Sequence, residues 1–163
     1  MQFIKVESDT QIEILAELAS EIWHEYWPCI LSPEQIDYMV EKFQSYDAIK
    51  NQMTNENYIY YFLEDNNILI GYFGVSIKEN SLFLSKLYIR KEMRGCGCGK
   101  LAFNKVFQLA QQLGKEKITL TVNKNNINTI KAYEKWNFKI IDSVISDIGN
   151  GFVMDDFIME YQL

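Results

Sequence analysis

Arg94-Gly95-Cys96-Gly97-Cys98-Gly99-Lys100 carries the clearest chemical signal in this chain. Three glycines alternate with two cysteines, and a cation stands at each end. Glycine lets backbone N–H groups approach an anion with no Cβ in the way, and a helix N-terminus adds a favourable dipole to those donors. Upstream, residues 82–89 are apolar and aromatic and read as a strand. Downstream, Ala102, Val106, Leu109, Ala110 and Leu113 recur at helical period up to Gly114. A glycine turn between strand and helix, with Arg90 and Lys91 just before it, suits a phosphate group. Two common phosphate loops do not fit. A Walker A loop needs four residues between its first glycine and Gly-Lys, then Ser or Thr; here three separate Gly95 from Gly99-Lys100, and Leu101 follows. The dinucleotide fingerprint G-x-G-x-x-G is not matched by Gly95, Gly97 and Gly99.

The next strand, residues 117–122, completes a βαβ unit, so its neighbour should be the strand at 82–89, and parallel to it. Strands at 58–63 and 69–77 flank the turn Asp65-Asn66-Asn67, and Glu79-Asn80 leads into 82–89; these read as an antiparallel meander. Before them come a short strand at 3–6 and a helix at about 10–26, with Ile12, Leu15, Ala16, Ala19, Ile22, Trp23 and Tyr26 on one face. Pro28 ends it. A second helix opens at Ser32, with Pro33 in its first position and Gln35 placed to complete a capping box. A helix at about 128–136 and strands at about 138–146 and 152–162 close the chain. The expected fold is α/β: a mixed, mostly antiparallel sheet of six to seven strands, helices on both faces, in one domain over residues 1–163.

Composition narrows the function classes. The chain of 163 residues is 48% hydrophobic and 23% charged, the balance of an ordinary globule. No apolar run nears the ~18–20 residues that span a bilayer, and the first residues lack a signal peptide's basic start and apolar core. A cytoplasmic location away from membranes is the expectation. Cys29, Cys96, Cys98 and the single histidine, His24, do not make a metal site. Residues 1–66 carry 13 Asp+Glu against 3 Lys+Arg, while residues 67–163 carry 9 against 13. The acidic first part disfavours nucleic acid and suits a cationic ligand; the basic second part suits an anionic one. Glu13, Glu17, Glu21 and Glu25 recur every fourth residue, opposite the apolar stripe, and read as a solvated face.

Arg94, Gly97 and Gly99 occupy the defining positions of R/Q-x-x-G-x-G/A, and with them the chain resembles the GNAT superfamily of N-acetyltransferases. Leu87-Tyr88-Ile89 resembles the donor-binding strand before that signature. The run from Asn128 through Tyr133 to Phe138 resembles, loosely shifted, the family's N-x-x-A-x-x-x-Y-x-x-x-G-F, and Asp156-Phe157-Ile158-Met159 a common closing strand. The likeness covers roughly residues 57–163, and Asn137 departs from it where many relatives have glycine. The resemblance implies an acetyl-CoA donor held by Leu87, Tyr88, Ile89 and by the loop Arg94, Gly95, Cys96, Gly97, Cys98, Gly99 and Lys100, with Asn128 near the pantetheine arm. It implies Tyr133 as the general acid that protonates the departing thiolate; taken alone, that residue also reads as a core aromatic. Asn128 also reads as an N-cap. Trp23, Tyr26 and Trp27 are candidates for the acceptor pocket or for core packing. The acceptor is expected to be a small cationic amine or polyamine, ahead of a peptide amine, and no carboxylate is singled out as base. A homodimer is what the resemblance extends here. The alternative is a non-catalytic acyl-CoA-binding or regulatory module.

Overall fold

The computed structural model describes residues 1–163. Its strands are β1 (Gln2–Lys5), β2 (Tyr58–Asp65), β3 (Ile68–Ile77), β4 (Ser81–Ile89), β5 (Lys117–Asn123), β6 (Lys139–Gly149) and β7 (Phe152–Gln162). They form one seven-stranded sheet in the order β1-β2-β3-β4-β5-β7-β6. Every pairing is antiparallel except β4 with β5. This is the mixed, mostly antiparallel sheet expected from the meander and the βαβ unit. Five helices cover it: α1 (Asp9–Tyr26), α2 (Pro33–Gln44), α3 (Tyr46–Asn55), α4 (Cys98–Gln112) and α5 (Ile127–Lys135). No helix is long and apolar enough to cross a membrane.

The parallel pair is short. Only Ser81–Phe83 lies beside Lys117–Thr119. Beyond that, β4 stays paired with β3 as far as Ile89, and β5 with β7 as far as Asn123. The two strands part, and their facing backbone groups are released from the ladder. A cleft in the middle of the sheet results.

A bulge decides what β4 shows to each side. Val75 pairs with Leu84 and Gly74 with Lys86, so Ser85 is left without a partner. The extra residue reverses the alternation. Leu82 and Leu84 before it, and Leu87 and Ile89 after it, all pack into the core shared with α4 and α5. Lys86 and Tyr88 therefore turn to the opposite face, under α1, α2 and α3. There Trp23 Nε1 donates to Tyr72 Oη at 3.0 Å, and Tyr72 donates to Gln44 at 3.1 Å. Lys86 Nζ donates to Phe43 O at 3.0 Å and Gln52 Oε1 at 2.7 Å, with Tyr60 as a third partner. Burial lowers the Lys86 ammonium to about 7.

Three local expectations change. Residues 46–55 form α3, capped by Ser45, with Ile49 and Gln52 as its buried residues. So few apolar positions leave no helical stripe to read. The capping box sits at α1, where Ser8 and Gln11 exchange both bonds. At α2, Ser32 caps Gln35 N, but the Gln35 amide donates to Val153 O at 3.2 Å and ties α2 to β7. The last helix begins one residue earlier, with Asn126 as N-cap and Asn128 exposed in its first turn. Asn137 adopts φ 70°, a left-handed conformation that asparagine tolerates, so the turn before Phe138 needs no glycine.

Candidate active site

The cleft between β4 and β5 opens into a cavity of about 1070 Å³. Its walls come from the end of α1, the α1–α2 connection, β4, the glycine loop, β5, α5 and the strands β6 and β7. Of the residues singled out from the sequence, it gathers Trp23, Tyr26, Trp27, Leu87, Tyr88, Ile89, Arg94, Gly95, Gly99, Asn128 and Tyr133. Cys96, Gly97, Cys98 and Lys100 lie outside its walls. Cys96 is exposed, Cys98 is buried in the core below α4, and Lys100 lies over the Phe103 ring at 4.6 Å.

The loop is built for an anion by two of its glycines. Gly95 and Gly97 take φ values of 77° and 86°, which an L side chain resists. Gly97 is the N-cap of α4 and opens that helix without a side-chain cap, so the first N–H groups of α4 have no partner in their own helix. Gly99 has a different reason. A Cβ there would meet Trp136 at 3.2 Å, so this glycine lets α4 pack on the end of α5.

Arg94 is fixed from three sides. Its Nε donates to Ile89 O at 2.7 Å, its Nη2 to Glu25 Oε2 at 2.9 Å, and its guanidinium lies 4.8 Å from the Tyr26 ring centroid. Arg90 pairs with Glu21 in parallel, at 2.7 Å. The exposed glutamate row on α1 is thus more than a solvated face. Its C-terminal pair docks α1 onto the loop.

Beside the loop stand four aromatic rings. Tyr88 lies 5.2 Å from Trp23, 6.2 Å from Tyr26 and 6.5 Å from Trp27, and Trp27 lies 5.6 Å from Trp23. Tyr26 reaches across to α5, donating to Asn126 Oδ1 at 2.8 Å and meeting Thr129 Oγ1 at 2.9 Å. Trp23 and Trp27 are buried and also belong to the core beside α2, so packing and lining coexist in them.

Tyr133 is buried on α5, its ring against Trp136 and Phe138 at 5.5 and 5.4 Å. Burial, then the neighbouring Tyr26, pushes its hydroxyl well above the ordinary tyrosine range, so it is protonated at neutral pH. Asp156, in β7, also lines the cavity. Burial, reinforced by Asp155 and opposed by Lys124, pushes its carboxyl up to about 6. Sequence reasoning does not single it out, because β7 also carries Asp155 and Glu160 and nothing local separates the three acids. It also passed over Asn126, Thr129 and Lys86, which lie along the walls. Nowhere do three His, Cys, Asp or Glu side chains converge as a metal ion requires.

Two parallel strands that part, one of them bulged, a glycine loop capping a helix, and the cavity between them define a coenzyme A-dependent acyltransferase site. The profile of the acetyltransferase (GNAT) family matches residues 17–138, and the chain belongs to that family. Acetyl-CoA is its donor. Over 148 residues the chain is 25% identical to a spermidine N(1)-acetyltransferase of Thermoplasma acidophilum, covering 88% of this chain and 89% of that one. Its fold is similar to that of a PaiA N-acetyltransferase from Thermoplasma acidophilum, solved in complex with coenzyme A. That structure has a TM-score of 0.81 and 24% identity, with all of both chains covered. A GCN5-related N-acetyltransferase from Rhodopseudomonas palustris gives a TM-score of 0.81 at 14% identity, over 99% of this chain and 95% of that one.

Proposed function

We propose that this chain, acting as one domain over residues 1–163, acetylates the primary nitrogen of a small cationic amine, polyamines above all, by direct attack while donor and acceptor are both bound. The observation that carries this reading is the cavity itself. Its loop offers helix N–H groups and Arg94 to an anionic donor, and the rings of Trp23, Trp27 and Tyr88 offer an aromatic wall to a cation, with Tyr26 between them and Arg94. Each aromatic face is worth about 0.5–2 kcal/mol to an ammonium, more as water is excluded. The likeness to a spermidine N(1)-acetyltransferase supports the same acceptor class.

Acetyl-CoA supplies an activated thioester. The protein's own work is to position it and to manage protons. The first turn of α4 and Arg94 hold the pyrophosphate, and the backbone freed where β4 leaves β5 lies along the donor's arm. Tyr133 holds a proton at its hydroxyl and gives it to the leaving sulfur as negative charge builds there, a role its place on the cavity wall supports. Asn128 stands at the cavity edge, one helical step from Thr129, where it can meet the pantetheine arm.

The test is thiol release from acetyl-CoA over a panel of spermidine, shorter diamines, lysine and peptide N-termini. Turnover ranked with cationic amines first supports the reading. Tight coenzyme A binding with no amine acetylated would instead mark a non-catalytic acyl-CoA module.

A further inference from the structure

Two buried side-chain polar atoms in the molecule have no hydrogen-bond partner, Trp27 Nε1 and Asp156 Oδ1. Both residues line the active-site cavity. An unpartnered buried oxygen has lost its hydration with no bond in return, so its presence calls for a cause. The sheet supplies none. Asp156 is held in β7 by its backbone, in register with Asn123 of β5 and Val144 of β6, and nothing in that pairing needs a carboxylate.

No cation of the protein fills the place. Lys124, whose charge reaches Asp156, is tied to Asp155, on the opposite face of the same strand. From β4 the group facing Asp156 is the Tyr88 phenol, with Tyr133 of α5 and Tyr26 of α1 beside it. All three are phenols. The carboxylate therefore shares the cavity wall with these phenols and has no positive partner of its own.

We propose that Asp156 receives the acceptor's ammonium group and takes the proton that must leave before the nitrogen can attack. This rests on the cavity being an amine acetyltransferase site. One ammonium proton passes to Asp156. The freed nitrogen lone pair forms the C–N bond as the thioester C–S bond breaks, and the sulfur takes the Tyr133 proton. Tyr133 is restored by the second nitrogen proton, and Asp156 releases its own to solvent, so one proton leaves per turnover. A carboxyl held up to about 6 is ionised at pH 7.5 yet roughly a hundredfold more basic than an exposed aspartate.

The experiment compares wild type, Asp156→Asn and Asp156→Glu. It measures spermidine kcat and kcat/KM from pH 5 to 9, and the calorimetric affinity for coenzyme A and for spermidine on the coenzyme A-loaded protein. In wild type, kcat/KM should fall below about pH 6. Asp156→Asn should lower kcat by ~10²- to 10⁴-fold, remove that acid limb and weaken spermidine binding at least ~10-fold. Coenzyme A affinity should stay within ~2-fold, since no donor contact depends on Asp156. Asp156→Glu should restore part of kcat and the limb. Asp156→Asn with kcat within ~3-fold and its limb intact overturns the proposal. So does joint loss of turnover and coenzyme A binding with no recovery in Asp156→Glu, which marks a structural role. Failure of wild type to acetylate any amine removes the functional reading and this proposal with it. An active wild type beside an indifferent Asn variant removes Asp156 alone.

Discussion

Arg94 and Glu25 hold each other at 2.9 Å between the phosphate loop and the last turn of α1. The same guanidinium covers the Tyr26 ring, so one side chain touches both the donor loop and the acceptor wall. Both partners are about one-third exposed, and the pair is screened by salt. A carboxylate this close also opposes a diphosphate. Glu25→Gln should tighten coenzyme A binding by several-fold at low salt, with the gain shrinking as salt rises, whereas Arg94→Ala should weaken it at least ~10-fold. Calorimetry at two ionic strengths checks both. Weaker binding in Glu25→Gln would show that the pair positions Arg94 more than it competes with the ligand.

Tyr133→Phe removes one hydroxyl from a ring already packed against Trp136 and Phe138. Stability and coenzyme A affinity should hold, while kcat falls by ~10²-fold or more. Steady-state kinetics beside calorimetry separates the two effects. An unchanged kcat would return Tyr133 to the core.

The loop glycines should fail in different ways. Gly97→Ala forces a side chain to φ 86° with open space around it, so it should cost about 1–2 kcal/mol of stability and loosen coenzyme A. Gly99→Ala meets Trp136 at 3.2 Å in an ordinary helical conformation. Its effect should appear as altered tryptophan fluorescence and lower stability. Thermal melts with and without coenzyme A tell the two apart.

Lys86 gives the fold a pH signature. Its folded value of about 7 lies below the ordinary lysine value, because burial disfavours the ammonium. Between pH 7 and about 10.4 the unfolded chain binds a proton that the folded chain lacks, so this contribution to stability rises as pH rises through that window and is lost as pH falls back through it. The stability of wild type minus that of Lys86→Met should therefore increase from pH 7 to 10, measured by denaturant unfolding. A difference that stays flat would mean that Lys86 is charged in the fold.

Much of this architecture was legible because its signals are local. Alternating β-branched and aromatic runs marked the meander, and glycines before an amphipathic stretch marked the loop and α4. The unread parts depend on contacts between distant elements. α3 has only Ile49 and Gln52 to bury, and Gln52 earns its place through Lys86 and Tyr60. Gln35 left its expected cap for Val153, far along the chain. Glu25 looked solvated until Arg94 arrived from the other side of the cleft. Asp156 reads in the sequence as part of a closing strand, and only the parting of β4 from β5 shows that its carboxyl opens onto a cavity.

In the proposed reaction the acetyl group passes directly between two substrates held together in that cavity. Initial rates over a grid of acetyl-CoA and spermidine concentrations test it. Direct transfer requires double-reciprocal lines that intersect, with Tyr133→Phe lowering their common kcat. Parallel lines, the mark of an acetylated enzyme formed before the amine binds, would contradict it.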